Sequence, residues 1–346
     1  METGTGVNAL TIVFAALCIF AIAYRFYGLF IATKVLSLNE ARKTPAVKYS
    51  DGQDYVPTNK YVLFGHHFAA IAAAGPLLGP VLAAQFGYMP GLLWILIGCV
   101  LAGGVHDMVV LFCSVRHRGR SLAYIATQEI DRTTGFVASW AVLAILILTL
   151  AGLSIAVVNA MHNSLWSTYT VAATIPIAIL MGLYMQIWRK GDVVGATVIG
   201  VVLLFLCILS GPWVAAHPEY FGWLDIDRKA MSILIPIYGF FASVLPVWLL
   251  LLPRDYLSTF LKIGTIGALA IGIAFVMPNF QMPAFTDFIH GGGPIVGGPV
   301  IPFIFITIAC GALSGFHATI GTGTTPKMVG LSLIHISEPT RQEAIS

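Results

Sequence analysis

Charge is what this sequence has least of. Of 346 residues only 10% are Asp, Glu, Lys or Arg, while 58% are hydrophobic and the mean hydropathy is +0.88. That balance falls outside the range of water-soluble domains. The formal charge is only +3, and no basic segment is interleaved with aromatics, so nucleic acid is not expected as a partner. Cysteine is scarce too. Cys18, Cys99, Cys113, Cys207 and Cys310 all lie in apolar runs, without the paired spacing of a zinc or redox motif. They read as packing residues, with no disulfide framework and no metal site. A Walker A sequence and a GxSxG elbow are both missing, so ATP-driven transport and nucleophilic hydrolysis are unsupported; no catalytic residue and no cofactor are expected.

What remains is a set of long apolar runs. A helix crosses hydrocarbon with about 20 mostly apolar residues, whereas a barrel needs short alternating strands. The runs here have helix length, and nine spans are expected near 8–33, 61–86, 91–114, 135–159, 167–188, 192–214, 230–252, 256–278 and 299–321. The predicted fold is an all-α, polytopic transmembrane bundle of secondary-transporter type, with the lipid bilayer as its surroundings. The first run reads as a retained helix: it has no basic stretch before it and no small-residue cleavage pattern after it.

Basic residues alternate between loops. Lys34, Arg42, Lys43, Lys48 and Lys60 follow the first span, and Arg116, Arg118, Arg120 and Arg132 follow the third. The loops after spans two and four carry none. Arg189, Lys190, Arg254 and Lys327 fall with the first group, opposed only by Arg228 and Lys229. The Lys/Arg bias predicts an outside N-terminus and cytoplasmic loops at the odd turns.

The end of the chain has a different character. Leu331-Ser332-Leu333-Ile334-His335-Ile336-Ser337-Glu338-Pro339-Thr340-Arg341 resembles a translated transposon sequencing adapter, codon by codon. Residues 331–346 are therefore read as an artefact and set aside, and 1–330 as the N-terminal part of a transmembrane domain.

Ionisable residues inside the spans are the functional candidates, since a charge at the bilayer centre costs about 2.5–3.5 kcal/mol even on insertion scales. They are Arg25, His66, His67, His106, Asp107, Lys262 and His317. At ~1.5 Å per residue each sits roughly 6–12 Å from the predicted cytoplasmic end of its span. A shared depth predicts a polar vestibule open to the cytoplasm. The competing reading has Arg25 and Lys262 snorkelling to the interface and the histidines packing. Asp107 is too short to snorkel far, and its expected partner is His66 or His67, a pair able to relay protons. Adjacent histidines point about 100° apart, so a joint metal site is not expected.

Helix breaks form a second constellation. Gly75-Pro76 and Gly79-Pro80 are expected to break or kink the second span, with Thr324 and Thr325 near the end of the ninth as a counterpart. An ordinary proline kink with small packing residues is the alternative. Gly291-Gly292-Gly293-Pro294 and Gly297-Gly298-Pro299 read as a flexible or re-entrant loop.

Long strings resemble the carbon starvation protein A family of bacterial membrane proteins. Among them are Ala23-Tyr24-Arg25-Phe26-Tyr27-Gly28, Asp54-Tyr55-Val56-Pro57-Thr58, the run Val62 to Ala72, the run Leu245 to Lys262, Cys310 to Ala318, and Gly323-Thr324-Thr325-Pro326-Lys327. The resemblance implies an inner-membrane secondary transporter, induced by nutrient limitation, for peptides or a small carboxylate such as pyruvate, with protons as the coupling ion. It also implies further helices beyond Lys327, and in many members an extra helix before the first span here. It carries over no binding residue. A channel or nutrient sensor is the competing function, with a membrane-embedded enzyme third; the oligomeric state is not legible.

Overall fold

An apolar run in hydrocarbon has no hydrogen-bond partner but itself, and this chain satisfies its backbone helically almost throughout. The computed structural model describes residues 6–38 and 42–330; the adapter-like tail lies outside the described residues. Among the described residues there is no β-strand, only isolated bridges pairing Asn8 with Asn279 and Thr58 with Val329. The protein is an all-α, multi-pass membrane protein.

In chain order the helices are α1 (Ala9–Val35), α2 (Lys60–Ile71), α3 (Ala74–Ala83), α4 (Tyr88–Arg116), the short α5 (Leu122–Glu129), α6 (Arg132–Met161), α7 (Leu165–Trp188), α8 (Val193–Ala216), α9 (Arg228–Val244), α10 (Leu251–Val276), α11 (Val300–Thr307), α12 (Ala309–Ala312) and α13 (Gly315–Gly323). Six of them, α1, α4, α6, α7, α8 and α10, are each long and apolar enough to cross a bilayer; counting each bent run as one span gives up to eight. Many starts are set by short polar caps. Asn8, Asn59, Asp131, Asp192 and Asp227 each accept a backbone N–H of the first turn, satisfying donors that a new helix leaves open.

The expected seventh span, 230–252, is not one helix. α9 has 17 residues and stops at Leu245, whose φ/ψ of −68/150 is extended. Pro246 is the cause, because its ring disfavours helical backbone in the residue before it.

Two runs are bent, α2–α3 by 42° and α11 onto the helices after it by 52°. The first break lies upstream of the prolines predicted to make it: Ala72 has φ/ψ −77/55 and Ala73 has −84/−166. The ring of Pro76 collides with the carbonyl four residues back, which is Ala72, so the helix ends there and restarts with Pro76 in its first turn. Gly79 and Pro80 sit inside the restarted α3. Thr324 and Thr325 follow α13 directly and mark no break of their own. In that run the backbone leaves the helix at Ile308 and again at Leu313 and Ser314, where φ/ψ are −155/115 and −129/131.

The two ends of the bundle are stitched separately. At one end the Tyr55 hydroxyl donates to the Arg118 carbonyl at 2.9 Å, Thr44 to the Val329 carbonyl at 2.5 Å, and the backbone N–H of Thr58 to Met328 at 3.0 Å. These bonds join the loops after the first and third spans to the end of the ninth, so loops assigned to one side by their basic residues do meet. At the other end Ala9 donates to Pro278 at 2.9 Å and Met89 to Ala284 at 3.1 Å. There the Gly-rich loop is tied down rather than loose. The Gln85 side chain donates to Val296 at 2.9 Å and accepts from the N–H groups of Ile295 and Val296 at 3.1 and 2.9 Å, while Thr286 donates to the Gln85 carbonyl.

Candidate functional site

Two carboxylates organise the polar interior. The first is Asp107. A π-helical segment, Gly98–Gly103, precedes it in α4, and such wider turns shift the side chains that follow out of regular register. Gly103 also lets α4 come close to α12: a Cβ there would fall on the Ala312 carbonyl. Across that contact the chain turns at Leu313 and Ser314 and starts α13, whose first turn carries His317. The Asp107 carboxylate accepts from His106 Nδ1 at 2.8 Å and from His317 Nδ1 at 3.2 Å. The expected pairing of Asp107 with His66 or His67 is therefore corrected. Sequence supplies depth along a helix, and the neighbour at that depth turned out to come from α13.

The second carboxylate is Asp255, which sequence reasoning missed. It lies in the second turn of α10, beside Arg254, at a position that reads as loop. His66 Nδ1 approaches Asp255 Oδ2 at 2.8 Å without the alignment of a hydrogen bond; the His66 side chain is 3% exposed and that of Asp255 27%. The helices run side by side here. Asp255, Thr259 and Lys262 share one face of α10 at intervals of four and three residues, and they meet His66, Gly65 and Ala69 of α2. Thr259 donates to the Gly65 carbonyl at 2.6 Å and Lys262 to the Ala69 carbonyl at 2.6 Å. Gly65 permits the approach: a Cβ there would lie 2.7 Å from the Tyr256 ring.

Lys262 is placed by the helix break itself. In a continuous helix the Ala69 carbonyl would accept from the N–H of Ala73, but that N–H bonds to Ile71 at 2.8 Å instead. The carbonyl is thereby freed, and the ammonium takes it.

His67 points to the other side of α2, with Nδ1 2.8 Å from the Thr325 hydroxyl and within electrostatic reach of Asp107, His66 and His317. So His66, His67, Asp107, Lys262 and His317 come together with His106, Asp255, Thr259 and Thr325, on α2, α4, α10 and the α13 region. Arg25 does not join them: it is exposed on α1 and makes no hydrogen bond or ion pair with the group. Besides His66 Nδ1, which has only its close approach to Asp255, two nitrogens in this interior are orphans. Nε2 of His66 and Nε2 of His317 are buried and, among the described residues, have no hydrogen-bond partner. A buried imidazole nitrogen without a partner is an unmet cost of at least about 1 kcal/mol, and it suits a water, a proton or a polar ligand.

Comparison with known proteins gives the family. The family model described as carbon starvation protein CstA matches residues 8–332. The chain belongs to that family. It is 54% identical over 322 residues to the peptide transporter CstA of Bacillus subtilis (strain 168), covering 93% of this chain and 53% of that protein. It is 55% identical over 329 residues to the peptide transporter CstA of Escherichia coli (strain K12), covering 95% and 47%. To the pyruvate/proton symporter BtsT of the same organism it is 51% identical over 330 residues, covering 95% and 46%. The chain thus spans about half the length of the curated family members it matches. No solved structure matches it.

Proposed function

We propose that the chain serves a proton-coupled secondary transporter of the bacterial inner membrane, taking up peptides or a small carboxylate such as pyruvate under carbon starvation. The relatives named as peptide transporters and as a pyruvate/proton symporter supply the substrate classes. The observation that carries the reading is the set of imidazole–carboxylate contacts, buried His66 with half-buried Asp255, and buried His317 and half-buried His106 with half-buried Asp107, gathered where two spans are broken. Titratable groups in hydrocarbon are costly, so such a set is kept for work on ions. Imidazole gains or loses its proton near neutral pH, and a carboxylate holding Nδ1 leaves Nε2 as the exchanging position. Asp107 with His317 is the proposed proton-binding pair. Lys262, already drawn to a freed carbonyl, is the proposed cationic partner for a substrate carboxylate, and Thr325 beside His67 a proposed further polar contact. The end rich in Lys and Arg faces the cytoplasm under the positive-inside rule.

Uptake into proteoliposomes under an imposed proton gradient tests this, with labelled pyruvate and labelled dipeptides offered to the full-length protein. Accumulation against the substrate gradient is expected. Flux that only follows the gradient would make it a channel, and a chemically altered product an enzyme.

A further inference from the structure

The end of the bundle that carries the basic loops holds a cavity of about 240 Å³ between the segment after α1 and the last turns of α4. Five cationic side chains line it: Arg42, Lys43, Lys48, Arg116 and Arg118. No carboxylate of the described residues shares its wall; Glu40, the nearest in sequence, lies outside the described residues. The carboxylates at this end are engaged elsewhere, Asp54 3.7 Å from Lys327 and Glu129 2.8 Å from His117. Two cations rest on rings, Arg116 4.7 Å from the Phe112 centroid and Lys48 5.5 Å from that of Tyr49. Stacking on a ring face leaves the N–H donors of a cation able to bind a second group.

Topology explains why basic residues lie at this end of the molecule. It does not explain why five of them line one hollow. All five are exposed, and a cluster of one sign is chemically suited to an anion. Guanidinium groups grip phosphate oxygens two at a time, and a hollow of about 240 Å³ holds more than a single water. The cavity sits where α1 and α4 leave hydrocarbon, and Leu38 and Val115 give it an apolar edge.

We propose that this cavity binds a phosphate-bearing anion, supplied either by an anionic lipid headgroup or by a free phosphorylated metabolite. Thr44 is part of its wall and donates to the Val329 carbonyl, so an occupant also braces the loop after α1 against the end of the ninth span.

The test uses purified full-length protein in detergent, with retained adducts read by native mass spectrometry and the unfolding temperature read alongside. Phosphatidylglycerol is expected to be retained and to raise the unfolding temperature, and phosphatidylcholine to do neither. Glycerol phosphate alone reproducing the shift assigns the source to a free metabolite; a shift with the lipid only assigns it to the membrane. Arg42→Gln with Arg116→Gln is expected to weaken binding about fivefold per cation removed, and Arg42→Lys with Arg116→Lys to retain most of it. Arg189→Gln with Lys190→Gln, at the same end but outside the cavity, is expected to change nothing. Equal retention of the two lipids, or equal loss in both Gln pairs, would overturn the proposal.

Discussion

Helix α6 and the bent run α2–α3 cross the same bilayer in opposite ways. α6 is 30 unbroken residues with only 6% of its apolar window buried, and Phe136, Trp140, Ile147 and Leu148 face outward. Its side-chain contacts to polar partners lie toward its ends, where Asp131 caps the first turn and Asn159 accepts from Arg228 at 2.7 Å. α2 and α3 are 12 and 10 residues with a break between them, and α2 carries both adjacent histidines. The difference teaches a rule of this solvent. A break exposes backbone groups that lipid cannot satisfy, so broken helices must lie against protein, and the groups recruited to satisfy them, such as Lys262, bring polar chemistry inside.

The comparison breaks first at Asp107. Replacement by Asn keeps the shape but cannot hold a proton between two imidazoles, and proton-driven uptake is expected to fall to the level of empty liposomes while the protein still purifies folded. Near-normal coupled uptake would place proton handling elsewhere. Next comes Lys262→Met, which leaves the freed Ala69 carbonyl without a donor. Losing a hydrogen bond from a charged group costs about 1.5–3 kcal/mol, and a clearly lower unfolding temperature is expected, with Lys262→Arg restoring part of it.

Glycines sharpen the contrast between the regions. A Cβ at Gly79 would meet the Thr307 carbonyl and one at Gly103 the Ala312 carbonyl, whereas one at Gly152 of α6 meets nothing within 4 Å. Gly79→Ala and Gly103→Ala are expected to destabilise by about 1–3 kcal/mol through overpacking. Gly152→Ala should be neutral or stabilising by up to about 1 kcal/mol. Thermal unfolding of the three variants side by side decides the matter; similar losses in all would erase the distinction.

The smallest effect lies outside the membrane. Asp51 accepts the backbone N–H groups of Gln53, Asp54 and Tyr55 at 2.9 Å each, and these bonds, Gln53 first, hold its carboxyl below the usual range. A depressed carboxylate stabilises the loop above its unfolded value of about 3.9 and loses that effect as pH falls through the folded value. Protection of those three amides from hydrogen exchange should stay level from neutral pH down to about 5 and weaken below about 4. Protection that declines already near neutrality would contradict this.

How much of this was legible follows from what sequence encodes. Long apolar runs gave the positions of eight of the nine expected spans, two of them bent, but not the stop of α9 before Pro246, and the Lys/Arg alternation gave the loops that meet at one end. The histidines were visible because they interrupt apolar text. Asp255 was hidden because, next to Arg254, it reads as loop at a span edge; its spacing of seven from Lys262, with Thr259 between, was the available signal. The partners of Asp107 were illegible for a different reason: depth can be counted in residues, but which helix stands alongside cannot. The break at Ala72 could have been counted back four residues from Pro76. The one at Leu313 and Ser314 has no proline behind it; its local sign is Ser314, which caps α13 by accepting the Phe316 N–H.

Proton coupling through this set is the central claim, and a pH-sensitive dye trapped inside proteoliposomes reads it most directly. With no gradient imposed, adding transported substrate outside is expected to acidify the lumen in step with uptake, and Asp107→Asn to abolish that acidification. Substrate entering at the normal rate with no change of internal pH would contradict the account.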